Sequence, residues 1–461
     1  MTFPMLLALL TTIWTAWLIL KGYKPQAVLL FSGLVLMASA LLFVPGMDFV
    51  SSKALTEKQS TNYKWFDLFA FIRQVFSSRA AGLGLTIMAI AGFAKYMDTI
   101  GASRALVFIS VKPLSKLKSP YLVLALGLIV GQTLALVISS ASGLGLLLMV
   151  TMYPILVRLG VSPLAACAMI GTTQCLDLGP ASGNSNLAAR TLDMDIIVYF
   201  LKYQAPVAIA VTLTVAVLHF FVQRHFDRRA GHVVDVIPDI GEEDASENMP
   251  TKWYALLPIV PLVLQIVFSS IFAMPYKMDI VTAMFICIFL SMVCELIRHR
   301  DAKRVFASIQ TFFDGMGVQF ATVITLIVAG EVFANGLKMT GSISGLIDGA
   351  KALGLGGGTF IIVMTGIISI SAVLMGSGNA PFFAFANLVP DVAASVGVSG
   401  VSMILPMQFA SSIARSVSPI TAVIVAISGV AGVSPVEVVK RTAIPMAGAM
   451  VMNLVASALF L

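Results

Sequence analysis

Apolar runs of bilayer length recur along the whole chain, separated by short loops in which most of the charge collects. A helix that crosses the hydrocarbon core needs ~20 such residues. Crossings are read at 3–20, 25–44, 82–97, 162–192 and 198–222, and again at 254–273, 279–297, 317–336, 400–430 and 443–461. Between the two sets lies one long polar stretch, 223–252, basic at Arg224, Arg228 and Arg229 and acidic at Glu242, Glu243, Asp244 and Glu247. It reads as a cytoplasmic linker between two halves, 1–222 and 253–461. The pattern predicts an all-α polytopic membrane protein with five crossings in each half.

Two further apolar stretches have a different layout. Residues 119–158 hold one run, a small-residue break at Ser139 to Gly143, and a second run that ends at Arg158. Residues 357–394 repeat this, with the break at Gly376 to Asn379. The second arms are short and the joints carry no charge, whereas a loop that reaches water normally carries some. Re-entrant hairpins fit this pattern, because irregular backbone at membrane depth persists only where protein or a cavity surrounds it.

The halves also share landmarks. Pro154 and Pro390 are 236 apart, Gly160 and Gly397 237, Pro180 and Pro419 239, and Gly101 and Gly341 240. Five crossings is an odd number, so the second half enters the membrane upside down. That predicts the inverted-topology repeat found in many secondary transporters.

Composition agrees with this class. Of 461 residues, 58% are hydrophobic and 11% charged, against about 25% charged in a soluble domain. The net charge of +7 is no sign of nucleic-acid binding, since Lys and Arg in short loops orient a membrane protein. With Lys21 and Lys24 in the cytoplasm, most of the 29 Lys and Arg fall on that side and both termini are periplasmic. Residues 45–81 then lie outside, as a longer segment with a surface helix. Uncleaved, the N-terminal run becomes the first span, because it lacks a preceding basic region and a following cleavage site. Cys167, Cys175, Cys287 and Cys294 sit in or beside apolar runs and read as core. His219, His225, His232 and His299 read as interfacial or solvated. No phosphate-binding loop, dinucleotide fingerprint or zinc motif is present, so neither ATP coupling nor metal hydrolysis is supported, and no cofactor is implied.

Chemistry is expected where helices break. The hairpin tips supply Ser139, Ser140, Ser142 and Gly143, and Ser377, Gly378 and Asn379. Two crossings are interrupted, one at Gly179-Pro180 with Ser182 and Asn184, the other at Ser418-Pro419 with Ser416 and Thr421. Broken helices present N-terminal N–H groups to anions and C-terminal carbonyls to cations such as sodium. Four breaks meeting at mid-membrane would make a polar chamber; helix packing through small residues is the structural alternative. Charges inside spans are costly and usually functional. Asp177 is a candidate for ion coupling or for pairing with Arg415, and Arg415 for gripping a substrate carboxylate. Glu331 reads equally as a proton-linked acid or a paired structural group.

The stretches SSASGLGLLLMVT at 139–151, MGSGNAPFFAF at 375–385 and ARSVSPITAVIVAISGVAGVSPVEVVKRTAIPMA at 414–447 resemble the DcuC family of C4-dicarboxylate transporters, its DcuD branch most. The resemblance runs from end to end. It implies a fold of the ion-transporter superfamily type, with a dimeric scaffold, a transport domain bearing two opposed hairpins, and elevator-type alternating access in the bacterial inner membrane. Succinate, fumarate and malate are the implied substrates, with a proton or sodium as coupling ion. In related carriers the tips bear a Ser-Asn-Thr motif; Ser140-Ala141-Ser142 and Ser377-Gly378-Asn379 stand in its place here. A same-fold carrier for another organic anion or an amino acid is the second reading, and a channel or intramembrane enzyme the third.

Overall fold

The computed structural model describes residues 3–52, 54–231, 250–269, 276, 278–342, 345 and 356–461. The acidic part of the linker and the end of the crossing expected at 254–273 lie outside the described residues. Every regular element among the described residues is helical. Seven helices are long and apolar enough to cross a membrane: Pro25–Phe43, Lys64–Thr99, Ile196–Arg229, Ile280–His299, Ala302–Met339, Gly357–Met375 and Pro435–Phe460.

Two of these are much longer than expected. Lys64–Thr99 has 36 residues and Ala302–Met339 has 38, ~54 and ~57 Å at 1.5 Å per residue. The crossings read at 82–97 and 317–336 are only their C-terminal parts, and Lys64–Arg79, read as part of an external segment, is continuous with the first long helix. Charge at the helix start hid this in the sequence. In the structure that charge is absorbed locally: Asp67 accepts from Ser60 Oγ at 2.6 Å and from Thr61 N at 2.6 Å. Each long helix contains a π-turn, Ala80–Gly84 in the first and Phe320–Ile324 in the second. The two helices pack closely, since a Cβ on Gly92 would lie 2.6 Å from the Phe312 carbonyl oxygen. Any larger residue there would force them apart.

The crossing expected at 254–273 is corrected too. Its described part is a 3-10 turn, Lys252–Leu256, and an eight-residue helix, Val260–Val267. Pro258 and Pro261 account for this, because proline cannot supply the backbone donor of a continuous helix.

Each half carries a helical hairpin. Pro120–Leu134 is followed by Ala141–Thr151, and Gly357–Met375 by Asn379–Phe385. The return arms open with helices of 11 and 7 residues and continue through Tyr153–Arg158 in the first and through Ala386–Leu388 and Val389–Val396 in the second. At the first tip, Ser140 caps the return helix by accepting from Gly143 N at 3.1 Å. Each half also carries a broken helix: Pro163–Thr172 with Gly183–Thr191, and Gly400–Arg415 with Ala422–Ala431. Ser162 and Ser399 cap their starts.

A buried ion pair ties these parts together at one end. Asp227 is fully buried and pairs with Arg441, which is 7% exposed. Asp227 also accepts from Ser162 Oγ at 2.6 Å and from Tyr121 OH at 3.1 Å. One carboxylate thus joins the first hairpin, the first broken helix and the helices Ile196–Arg229 and Pro435–Phe460. Both lie where hydropathy predicts water, Asp227 within the polar stretch 223–252 and Arg441 between the crossings read at 400–430 and 443–461. His219, read as interfacial, is fully buried as well, with Nε2 2.9 Å from Thr172 Oγ1 and Nδ1 3.2 Å from Gln223 Nε2. Gln223 also donates to the Arg441 carbonyl at 3.0 Å, which Pro445 four residues on leaves without a helical donor.

Breaking a buried ion pair by removing one partner costs about 3–5 kcal/mol. Asp227→Ala is expected to lower the thermal midpoint of the detergent-solubilised protein strongly. Lys440→Ala, which breaks the exposed pair with Glu437, is expected to cost less than about 1 kcal/mol. Equal shifts in the two melting curves would show that the Asp227 cluster is not a structural clasp.

Candidate functional site

Between its two half-helices, the first broken helix runs through residues 173–182 without regular structure. Backbone groups at membrane depth must find partners inside the protein, and here side chains provide them. Gln132 donates to the Leu176 carbonyl at 2.8 Å, Gln408 to that of Asp177 at 2.8 Å, and Arg415 Nη2 to that of Gln174 at 3.1 Å. The Gly179 N–H donates to Gln204 Oε1 at 3.1 Å. Asn186 donates to the Pro180 carbonyl at 2.8 Å. Gln174 itself donates to the Ile138 carbonyl at 2.8 Å, pinning the segment to the first hairpin tip.

Gln408 is the hub. Fully buried, its Oε1 accepts from Tyr199 OH at 2.9 Å and Gln204 Nε2 at 3.1 Å, and its Nε2 also donates to Ser185 Oγ at 3.0 Å. Tyr199 and Gln204 open and close a third π-turn, Tyr199–Gln204. That irregularity turns both side chains toward the broken helix of the other half.

Next to this scaffold lies a polar cavity of ≈ 80 Å³. Ser139 comes from the first hairpin tip, Asn379 from the second, and Asp177, Ser182 and Gly183 from the first broken helix. The long helices complete it with Ile87, Ile90 and Ala91 on one side and Gln319 and Val323 on the other. The nine-residue helix Gly183–Thr191 begins in this wall, so its N-terminal N–H groups favour an anion there. Buried polar atoms in and next to this wall have no protein partner: both amide atoms of Asn184, which follows Gly183, and Asn379 Oδ1; Ser418 Oγ in the second broken helix is likewise unpartnered. Such groups need an explanation in a folded protein, and a polar ligand supplies one.

Of the residues singled out in the sequence, Ser139, Asp177, Ser182 and Asn379 line this one cavity. Ser140 and Gly143 form the first tip's cap beside it, with Ser142 between them. Ser377 caps the second tip weakly, its Oγ 3.4 Å from Ala380 N. Gly378 lies against the second broken helix, where a Cβ would sit 2.9 Å from the Ser411 carbonyl oxygen and 3.1 Å from Arg415 Cδ. Arg415 and Ser416 line a separate narrow gap beside Ala141, Thr173 and Gln174. Thr421 donates to the Arg415 carbonyl at 2.7 Å. Arg415 is near enough to act electrostatically on Asp177, but no ion pair joins the two among the described residues. Glu331 does not reach the cavity: both its oxygens are held by Arg79, Oε2 from Nε at 2.5 Å and Oε1 from Nη2 at 3.0 Å.

The amides went unread in the sequence. Gln132, Gln174, Gln204, Gln319 and Gln408 stand in otherwise apolar stretches. Uncharged, they leave no mark on a charge count, but each carries a donor and an acceptor that a membrane interior must satisfy.

Comparison with known families matches the chain to the DcuC family, described as a C4-dicarboxylate anaerobic carrier, over residues 3–460. The anaerobic C4-dicarboxylate transporter DcuC of Escherichia coli O6:H1 is 35% identical over 456 residues, covering 99% of this chain and 96% of that one. Among solved structures, MtrF of Neisseria gonorrhoeae, described with a class of antimetabolite efflux pumps, gives a TM-score of 0.64 at 14% identity, covering 95% of this chain and 94% of its own. The YdaH transporter of Alcanivorax borkumensis gives 0.57 at 17% identity, covering 98% of each chain. At such identities the likeness is one of fold. These relatives are transporters rather than enzymes, and the helices are those of a multi-pass membrane protein. The chain belongs to the DcuC family.

Proposed function

We propose that this protein carries C4-dicarboxylates (succinate, fumarate and malate) across the bacterial inner membrane by alternating access of the elevator type. The observation that carries the reading is the single cavity walled by both hairpin tips, the first broken helix and both long helices. A site built from both halves changes shape when the halves move against each other. Its volume is far below the roughly 300–1,000 Å³ of open ligand pockets, so substrate enters only when the tips and the long helices part. Similarity to a relative described as an anaerobic C4-dicarboxylate transporter supports the substrate class.

The halves act as inverted repeats in this reading. The helices Phe3–Leu20, Pro25–Phe43 and Ile280–His299, with the short helix Val260–Val267, form a scaffold that holds a homodimer in the bilayer, and the hairpins and broken helices move. Asn379, Ser139 and Ser182 donate to the substrate carboxylates, aided by the half-helix N-terminus at Gly183. Asp177 couples an ion. Two carboxylates side by side in a low-dielectric cavity repel strongly, so a dicarboxylate can settle beside Asp177 only with a proton or sodium. Arg415 holds the unwound segment through Gln174 and adds positive field beneath the second tip.

Counterflow of labelled succinate in proteoliposomes, competed by fumarate, malate, other organic anions and amino acids, tests the reading. Competition by C4-dicarboxylates alone is expected; exchange of amino acids in their place would overturn the substrate class. In the same assay Asn379→Ala is expected to raise KM roughly 10- to 100-fold, since a hydrogen bond to a charged group contributes about 1.5–3 kcal/mol.

Asp177→Asn is expected to flatten the pH or sodium dependence of uptake while shifting succinate affinity less. Unchanged ion dependence would reduce Asp177 to a helix-breaking or packing residue.

Arg415→Lys keeps the charge and loses the planar fork. The lysine variant is expected to fold, melt within a few degrees of the unmodified protein and lose at least about tenfold in uptake. Normal KM and rate in that variant would remove Arg415 from substrate handling.

A further inference from the structure

A shift of 240 positions carries the first π-turn, Ala80–Gly84, onto the second, Phe320–Ile324. The same shift carries Gly101, at φ +80°, onto Gly341, at φ +71°. Applied to the cavity, it has a consequence that neither half shows alone. Ala91 on the first long helix and Gln319 on the second both line the cavity wall. Their counterparts under the shift are Arg79 and Glu331, which meet across the same helix pair. Arg79 immediately precedes its π-turn, as Gln319 does. The place in one half that is an open polar cavity is, in the other half, closed by a bidentate ion pair.

We infer that Arg79 is a carboxylate-binding residue of a second anion site, used when the carrier opens to the other side, and that Glu331 holds that site shut in the present state. The inference rests on the proposed transport of dicarboxylates between two inverted halves. In such a carrier the two halves exchange conformations, so the side now latched becomes the side now open. Glu331 grips Arg79 through Nε and Nη2 with two near-parallel hydrogen bonds, the geometry in which a guanidinium takes any carboxylate. A substrate carboxylate can therefore replace the Glu331 carboxylate with no net loss of pairing for Arg79. Its partial exposure, 31% for the Arg79 side chain and 22% for Glu331, leaves the pair within reach of an incoming anion.

A second observation points to the same place. The half-helix Gly183–Thr191 starts in the cavity wall and carries Arg190 in its last turn, ~10 Å further on. A Cβ on Gly82, inside the first π-turn, would lie 3.5 Å from Arg190 Nη1. Arg190 is exposed and forms no ion pair among the described residues. Two guanidiniums thus flank this π-turn, and one of them is uncommitted. When substrate displaces Glu331, that carboxylate takes up a proton or turns to Arg190, so no bare charge is stranded. π-Turns frequently mark functional positions in helices, and this one lies between the two arginines.

The test uses the full-length protein in proteoliposomes and four variants. Arg79→Glu combined with Glu331→Arg restores an ion pair with its polarity reversed; Arg79→Gln combined with Glu331→Gln removes both charges at near-constant volume. Both are expected to stay monodisperse and melt within a few degrees of the unmodified protein, yet exchange succinate at least about tenfold more slowly. Wild-type rate and KM in either double variant would show the pair to be structural and overturn the inference. Gly82→Cys provides a readout that does not depend on the pair's stability: succinate is expected to protect this cysteine from a membrane-impermeant thiol reagent, and more so with Glu331→Gln added. Labelling indifferent to succinate in both backgrounds overturns the site. If the unmodified protein exchanges no dicarboxylate, the transport reading itself falls and this site falls with it. If it exchanges normally and the double variants match it, only the second site is lost.

Discussion

A polypeptide that leaves the helical state inside a membrane must bring its own hydrogen-bonding partners, and residues 173–182 show how this chain meets that demand. The carbonyls of Gln174, Leu176, Asp177 and Pro180 and the N–H of Gly179 are bonded to side chains of Arg415, Gln132, Gln408, Asn186 and Gln204. The partners come from the first hairpin, both broken helices and the helix Ile196–Arg229. The unwound segment is therefore not slack. It is the most heavily cross-tied stretch of backbone near the cavity, and it sets where Asp177 and Ser182 stand. Leaving one buried acceptor unpaired costs about 1–3 kcal/mol, so each amide contributes to order out of proportion to its size.

This ordering separates two kinds of polar residue around the site. Gln204, Gln408 and Ser185 bond to one another and to backbone, leaving little capacity for a ligand. Asn184 and Asn379 hold buried amide atoms with no protein partner. The first set fixes the geometry and the second offers itself to whatever enters. Arg415 belongs with the first set through its bond to the Gln174 carbonyl, although it was read from the sequence as the foremost anion ligand. It stands four residues before Pro419, beside the unwound segment and in a gap separate from the cavity. What the sequence could not give was which side of the broken helix the guanidinium would take.

The class of protein, the all-helical architecture and the family were legible in the chain, because apolar runs and small-residue breaks act locally. Where charge misled the reading, the partner lay far off in the chain. Arg79, Asp227 and Arg441 carry charges that hydropathy assigns to water, yet each is neutralised by a partner distant in sequence: Glu331 for Arg79, Arg441 for Asp227. A charge paired across 200 residues or more looks solvated until the fold is known. Glutamine posed the reverse difficulty. It scores as neither apolar nor charged, so Gln408 passed unremarked in the middle of a span where it proves fully buried and four times bonded. His219 failed for the same reason as the charges, its position near a helix end concealing complete enclosure.

The length of Lys64–Thr99 and Ala302–Met339 ties this protein to the lipid around it. Standing upright, helices of ~54 and ~57 Å would overshoot a ~30 Å core by nearly its own thickness. Projection into water and tilt are the two ways to take up such an excess, and tilt answers to the width of the bilayer. The π-turns and the cavity wall lie on these two helices, so any change in their inclination acts on the residues of the wall, and bilayer width becomes a mechanical input to the cavity.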